Sequence, residues 1–315
     1  MISKDEDLER LIASELAEPV PHGAALVAEH IRARHGDSVR AILFYGSCLR
    51  MHDDQHSLLD FYVLVDGYWG LGTSRLYAAL NALLPPNVYY TRLMEGDRSI
   101  QAKYAVVSLA DFARYTSSHC FQAYFWGRFA QPCALVYAAD AAATHAVTEA
   151  LANAVTTFVR RGLPLLPAPC SVQALWTTQL RLSYAAELRA ERTAVAQRLY
   201  ASAPQRYERV TRAALARLPF PATVKVVDGT PRISAQCRAA GAAALWRVRC
   251  VYGKWLSLLR ILKSALTQEG SVDYAIWKVE RHSGLTVDPA WRQQRHPLLA
   301  LGAEVWRMYR RGAFR

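Results

Sequence analysis

No two of the six cysteines, Cys48, Cys120, Cys133, Cys170, Cys237 and Cys250, stand at the C-x-x-C spacing. That argues against a zinc ribbon or a disulfide framework and leaves reduced thiols packed as small apolar side chains. Nor does any apolar run approach the roughly 18–20 residues a membrane-spanning helix needs. The N-terminal stretch "MISKDEDLERLIASELAEP" is acidic and amphipathic, which fits neither a secretory signal nor an Arg-rich transit peptide. Internal repeats and low-complexity tracts are also missing. The expectation is a chain made and kept in a cytoplasm, meeting a membrane only from the side. What is present is enough to fold: 315 residues, 52% hydrophobic and 20% charged, support a core in two modest domains or one large one. Lys and Arg outnumber Asp and Glu by 38 to 26, and the resulting +12 calls for an anionic partner: nucleic acid, nucleotide or an acidic membrane face.

The first part of the chain mixes helix and strand signals. Leu8 to Ala17 and the run from Ala24, stopped by Gly36, have helical spacing. "RAILFY" and "LLDFYVLVD" are nearly all apolar, as buried central strands are. "TSRLYAALNALL" is a helix with Thr73 or Ser74 as cap, ended by Pro85 and Pro86. "NVYYTRL", "AKYAVVSL" and "CALVYAA" are further strands, and "DFARYTSSHCFQAYFWGRF" is predicted as one helix with an aromatic stripe. From Ala141 the pattern turns helical. It is interrupted by a hairpin, "ATVKVVDGTPRIS", with Asp228-Gly229 as its turn, and resumes from Gly241.

One stretch, "AILFYGSCLRMHDDQHSLLDFYVLVD", poses a chemical problem. Asp60 sits alone in an apolar strand, and burying a carboxylate there costs of order 2–7 kcal/mol unless something compensates it. Gly46 lets backbone approach a phosphate closely, and Ser47 offers an N–H and a hydroxyl. A carboxylate on the neighbouring strand then holds Mg²⁺ against the same oxygens. Proteins that transfer nucleotides in this way usually carry two acids one residue apart, but Leu58 and Tyr62 occupy the flanking slots here. Taken alone, the stretch fits a phosphate-holding bend and an ordinary tight turn equally. The cluster His52, Asp53, Asp54 and His56 between the strands reads as an exposed loop.

The stretch does not stand alone. "YGS" followed by "LLDF", "NVYY", "AKYAVVS", "AYFWGRFAQP" and "LSYAAELR" occur in order between Tyr45 and Arg189. In this the chain resembles the phosphatidate cytidylyltransferases of the mitochondrial translocator-assembly-and-maintenance type, a divergent branch of the nucleotidyltransferases that also carries a single Asp at this place. Three positions depart from the family pattern: Cys48 replaces Gly, Gln131 replaces Lys and Glu187 replaces Asp.

The resemblance implies an α+β fold. A nucleotidyltransferase domain with a mixed sheet would span residues 1–140. A mainly helical, winged-helix-like domain would span 141–240, and a C-terminal amphipathic helical segment 241–315. It implies transfer of a cytidylyl group from CTP to phosphatidic acid, making CDP-diacylglycerol and pyrophosphate. Asp60 and Glu187 become the expected ligands of Mg²⁺, and Lys103 the charge that neutralises the leaving pyrophosphate. Gly46, Ser47, Tyr104, Arg128, Ser183, Tyr184 and Arg189 become the expected nucleotide-binding set. For Lys103 a solvent-facing side chain competes with this role. For Arg128 and Arg189 a structural ion pair competes, for Ser183 and Tyr184 simple packing, and for Glu187 a solvated helix face.

The last quarter adds a membrane signal. From Gly241 onward there are 13 Lys and Arg against five Asp and Glu, and Trp246, Trp255, Trp277, Trp291 and Trp306 are five of the chain's eight tryptophans. Aromatic rings favour the headgroup level, and each basic side chain near anionic lipid contributes about 1 kcal/mol. A peripheral protein at the inner face of the cell membrane is expected, rather than a nucleic-acid binder. The alternatives are a nucleotidyltransferase acting on RNA or a small acceptor, and an inactive relative that only binds an anionic surface.

Overall fold

The two apolar runs flanking the Gly-Ser pair form the centre of a sheet. In a computed structural model, which describes residues 7–51, 58–187, 193–227, 230–237 and 240–267, β1 (Val39–Tyr45) and β2 (Leu59–Val65) pair antiparallel. Both are buried nearly throughout, which is why neither shows alternation in sequence. β3 (Asn87–Glu95) and β4 (Arg98–Ser108) make a hairpin around Gly96 (φ +58°), and β4 runs parallel to β2. β5 (Cys133–Ala138) closes the other side of β1. The fold is α+β, around a mixed five-stranded sheet of order β3-β4-β2-β1-β5.

Period-2 alternation divides the sheet into two faces. Phe44, Phe61, Tyr104 and Val106 pack under α2 (His22–His35). Leu43, Tyr62, Leu64, Ala105 and Val107 belong to a larger core on the other face, shared with α1 (Leu8–Leu16) and α7 (Ala141–Gly162). α7 is buried on nearly every side, so its Ala-rich composition lets neighbours approach from all directions. Its N-cap is Asp140, whose side chain accepts from the Ala143 amide at 2.7 Å. α8 (Val172–Ala185) crosses α7 at Gly162, where an added Cβ would lie 2.5 Å from Gln179 Cγ. α9 (Thr193–Ser202) and α10 (Pro204–Leu215) complete this layer.

The segment expected as one aromatic helix is two. α5 (Leu109–Thr116) stops, a loop follows, and α6 (Trp126–Phe129) is a single turn. At the break Thr116 and Ser117 turn their hydroxyls back onto the Phe112 and Arg114 carbonyls at 2.9 and 2.8 Å. α7 then takes the freed carbonyls: Thr157 donates to Thr116 O and Arg161 to Ser118 O. The predicted hairpin is present as β7 (Ala222–Val227) and β8 (Thr230–Ala235), joined to β6 (Cys170–Ser171) in a small second sheet. Its turn residues Asp228 and Gly229 lie outside the described residues.

α11 (Ala242–Thr267) lies along this body as a 26-residue helix. Trp246 meets Trp126 edge-on at 5.8 Å, and an added Cβ on Gly253 would sit 2.4 Å from Ala186 O, so the helix presses closely on the end of α8. Arg249 donates to Phe121 O, Arg260 to Pro85 O, and Lys263 to the Leu84 and Pro86 carbonyls. Its other side leaves Leu245, Val248, Tyr252, Trp255, Leu259 and Leu262 exposed. Trp277, Trp291 and Trp306 lie outside the described residues. Among the described residues no helix is long and apolar enough to cross a membrane.

Candidate active site

β1 ends at Tyr45, and Gly46 takes φ +95°, a conformation closed to most side chains. The chain therefore turns sharply into α3 (Ser47–Met51), leaving Ser47 exposed at its start. The turn presses on the next strand, since a Cβ on Gly46 would lie 3.2 Å from Asp60 Oδ2. Cys48 points away from this bend. It is buried, with its Sγ donating to Leu58 O at 3.4 Å.

The registers place one row of side chains across all five strands: Tyr90, Lys103, Asp60, Tyr45 and Cys133, from β3 to β5. Within the row Lys103 Nζ lies 2.7 Å from Asp60 Oδ1, and both side chains keep about a quarter of their surface open, 28% and 24%. Lys103 thus faces inward along the sheet to the carboxylate. Tyr104, its neighbour, points to the opposite face. There its hydroxyl meets His35 Nε2 at 3.2 Å and its ring stacks on Tyr89, all beneath α2. The structure does not bring Tyr104 to the Asp60 face.

One row deeper lies a second, buried ion pair. Arg128 in α6 donates to Tyr62 Oη at 2.9 Å and to both Glu187 oxygens at 3.3 and 3.0 Å. Sequence spacing gave no warning of this meeting, and its local cause is Gly127. A Cβ there would sit 2.7 Å from Ser183 Cβ, so only glycine lets α6 approach α8 closely enough for Arg128 to reach the residue just past that helix's cap. Ser183 is buried at this contact with its hydroxyl on Leu180 O. Tyr184 donates to Gln131 Oε1 at 3.1 Å, and Gln131 Nε2 donates to Gly127 O. Gln131 thus serves a buried acceptor and a buried donor without bringing in a charge, which a Lys there would have done. Arg189 lies outside the described residues, as do His52, Asp53, Asp54 and His56.

Tyrosines connect the two ion pairs. The Tyr45 and Tyr62 rings are 5.4 Å apart. Burial, and then the Asp60 carboxylate, push the Tyr45 phenol up to about 12, with Arg128 and Lys103 opposing. Tyr45 therefore feels both pairs. Tyr124 differs: burial alone would raise its phenol, but Arg128 and Arg260 overcome this and bring it down to about 8. Neither Tyr45, Tyr62 nor Tyr124 was singled out from the sequence. The available signal was that Tyr62 shares a strand face with Asp60.

The donors suit a hard cation only in part. Among the described residues no cluster of three or more His, Cys, Asp or Glu is present. Asp60 offers a partly open carboxylate beside an exposed Ser47, and Mg²⁺ is commonly held by one or two carboxylates plus substrate phosphates. Glu187, the other expected ligand, has its carboxylate occupied by Arg128. An apolar cavity of about 230 Å³ between Leu163–Cys170 and β8 is lined by none of these residues. No family model matches the chain, and neither does any curated protein.

Proposed function

We propose that the chain is a metal-dependent nucleotidyltransferase, with β1–β5 as the nucleotidyltransferase sheet and the helices from α7 to the β7–β8 hairpin as a winged-helix-like second part. Within that class it is a CTP:phosphatidate cytidylyltransferase, which releases pyrophosphate and leaves CDP-diacylglycerol. The observation that carries the reading is the Asp60 carboxylate, held against the positive-φ Gly46 bend with Lys103 at 2.7 Å on the same sheet face.

In this reading a phosphate oxygen of the lipid attacks the α-phosphorus of CTP. The bond to the β,γ-diphosphate breaks, with no covalent enzyme intermediate. Mg²⁺ at Asp60 would neutralise charge on the triphosphate as that bond breaks. Gly46 and Ser47 cradle phosphate through backbone N–H and hydroxyl. Lys103 answers the charge developing on pyrophosphate. Arg128, fixed by Glu187 and Tyr62, presents a cation whose position costs no reorganisation during the reaction. In this role Glu187 acts on Arg128 rather than on the metal. The exposed apolar stripe of α11, flanked by Arg247 and Lys254, supports peripheral contact with an anionic bilayer.

The test uses the full chain with labelled CTP, phosphatidate vesicles and Mg²⁺. Labelled CDP-diacylglycerol is expected. Label appearing instead on RNA or on a small acceptor keeps the class and changes the substrate. Failure with every acceptor, other lipid phosphates included, refutes the reading.

A further inference from the structure

Two guanidinium groups share one aromatic ring next to the candidate site. Arg128 Cζ stands 4.3 Å from the Tyr124 ring centroid and Arg260 Cζ 4.1 Å. Arg128 belongs to α6 and is half of the buried pair with Glu187. Arg260 belongs to α11, more than a hundred residues further along the chain. The Tyr124 hydroxyl is hydrogen-bonded to Tyr62, which in turn accepts from Arg128. A connected path of polar contacts therefore runs from α11 to the deeper row behind Asp60.

Arg260 is half-buried, with one guanidinium nitrogen fully enclosed. Its Nε donates to Pro85 O at 2.9 Å and its Nη2 to Gln122 Oε1 at 2.8 Å, but Nη1 is buried without a hydrogen-bond partner. No ion pair with a carboxylate is present for it among the described residues. Leaving a charged donor unsatisfied in the interior is expensive, and such groups are rare in native folds. An apolar residue would seat this part of α11 without that penalty. What Arg260 adds is a cation on the Tyr124 face, drawn there by the ring's quadrupole.

We propose that Arg260 is a positioning residue for the candidate active site, acting through Tyr124 to set the placement of Arg128. This rests on the nucleotidyltransferase reading for its catalytic consequence, but the coupling itself does not. A ring held by cations from two helices fixes both relative to each other. Seating of α11 is thereby converted into a defined position for the guanidinium behind Asp60. Besides Arg128 and Arg260, the groups that face Tyr124 are Glu187 and Tyr62.

The experiment has two arms on the full-length protein. In the first, tyrosinate absorbance near 295 nm is followed against pH. Wild type should show one phenol titrating near pH 8 that is absent in Tyr124→Phe. Arg260→Gln should move that phenol up by at least one pH unit, while Arg260→Lys, which keeps a cation over the ring, should restore much of the shift. In the second arm, kcat and KM for CTP are measured in Arg260→Gln, in Tyr124→Leu and in the double variant. Arg260→Gln should lower kcat by about tenfold to thirtyfold with KM for CTP within twofold, and should cost little further once Tyr124 is Leu. A phenol that titrates identically in wild type and in a folded Arg260→Gln overturns the proposal, and so do additive losses in the double variant. If wild type itself transfers no nucleotide, the proposed function fails while the titration still decides the coupling.

Discussion

Lys263 should give the fold an unusual dependence on pH. The residue is 5% exposed, and its ammonium donates to the Leu84 and Pro86 carbonyls at 2.5 and 3.0 Å, at the end of α4 (Arg75–Leu83). Burial, reinforced by Arg260, pulls it from the ordinary 10.5 down to about 7. Below pH 7 the amine is protonated in both the folded and the unfolded chain, so it adds no slope. Between about pH 7 and 10.5 the unfolded chain holds a proton that the folded chain does not, and stability rises with pH. The slope approaches about 1.4 kcal/mol per unit, which integrates to ~2 kcal/mol between pH 7 and 9. That is roughly 3 °C in Tm for a chain of this size. The assay is urea or thermal unfolding of wild type and Lys263→Met at half-unit steps across this window. The methionine keeps the apolar stem packed and removes the titrating group. Both proteins share the titrations of Tyr124 and the buried cysteines, so these cancel in the difference. The wild-type curve should climb relative to the variant by about 2 kcal/mol. Parallel curves would mean that the two carbonyls keep the amine charged, and the reasoning from burial would be refuted.

Other substitutions separate stability from chemistry. Asp60→Asn should change stability by less than about 1 kcal/mol, because its pair with Lys103 is partly solvated, yet abolish nucleotide transfer; a folded variant with wild-type turnover would remove Asp60 from the mechanism. Glu187→Gln should show the reverse emphasis. It leaves Arg128 buried without its carboxylate and should lower unfolding free energy by about 3 kcal/mol in urea titration. Gly46→Ala forces a side chain to φ +95° and places a Cβ against Asp60 Oδ2, for about 1–2 kcal/mol of strain. Isothermal titration with CTP and Mg²⁺ should show weakened binding well beyond that stability loss. Gly253→Val puts bulk where Ala186 O already lies 2.4 Å from a Cβ position, so α11 should lift from α8, read as faster hydrogen exchange confined to 242–267.

Composition and local pattern were enough for much of this protein. Two nearly continuous apolar runs can only be central strands, and the Gly-Ser between them must turn the chain back. That Gly46 then meets the Asp60 carboxylate follows from the antiparallel register of β1 and β2. The pairing of β7 with β8 was equally local. What the tertiary structure decided was everything requiring a register or a facing. A strand buried on both sides shows no alternation, so the apolar neighbours of Lys103 and Tyr104 could not say which of the two faced Asp60. The parallel pairing of β2 with β4 settled it, opposing Asp60 to Lys103 across 43 residues of chain. Arg128 met Glu187 because Gly127 allowed two helices to touch, an effect of shape that no spacing encodes. The aromatic segment broke at Thr116 because α7 supplied partners for its carbonyls. On α11, Arg249, Arg260 and Lys263 are bound to carbonyls of loops far away in sequence. A solvated helix face and a docked one carry the same charges at the same spacing, and only packing tells them apart.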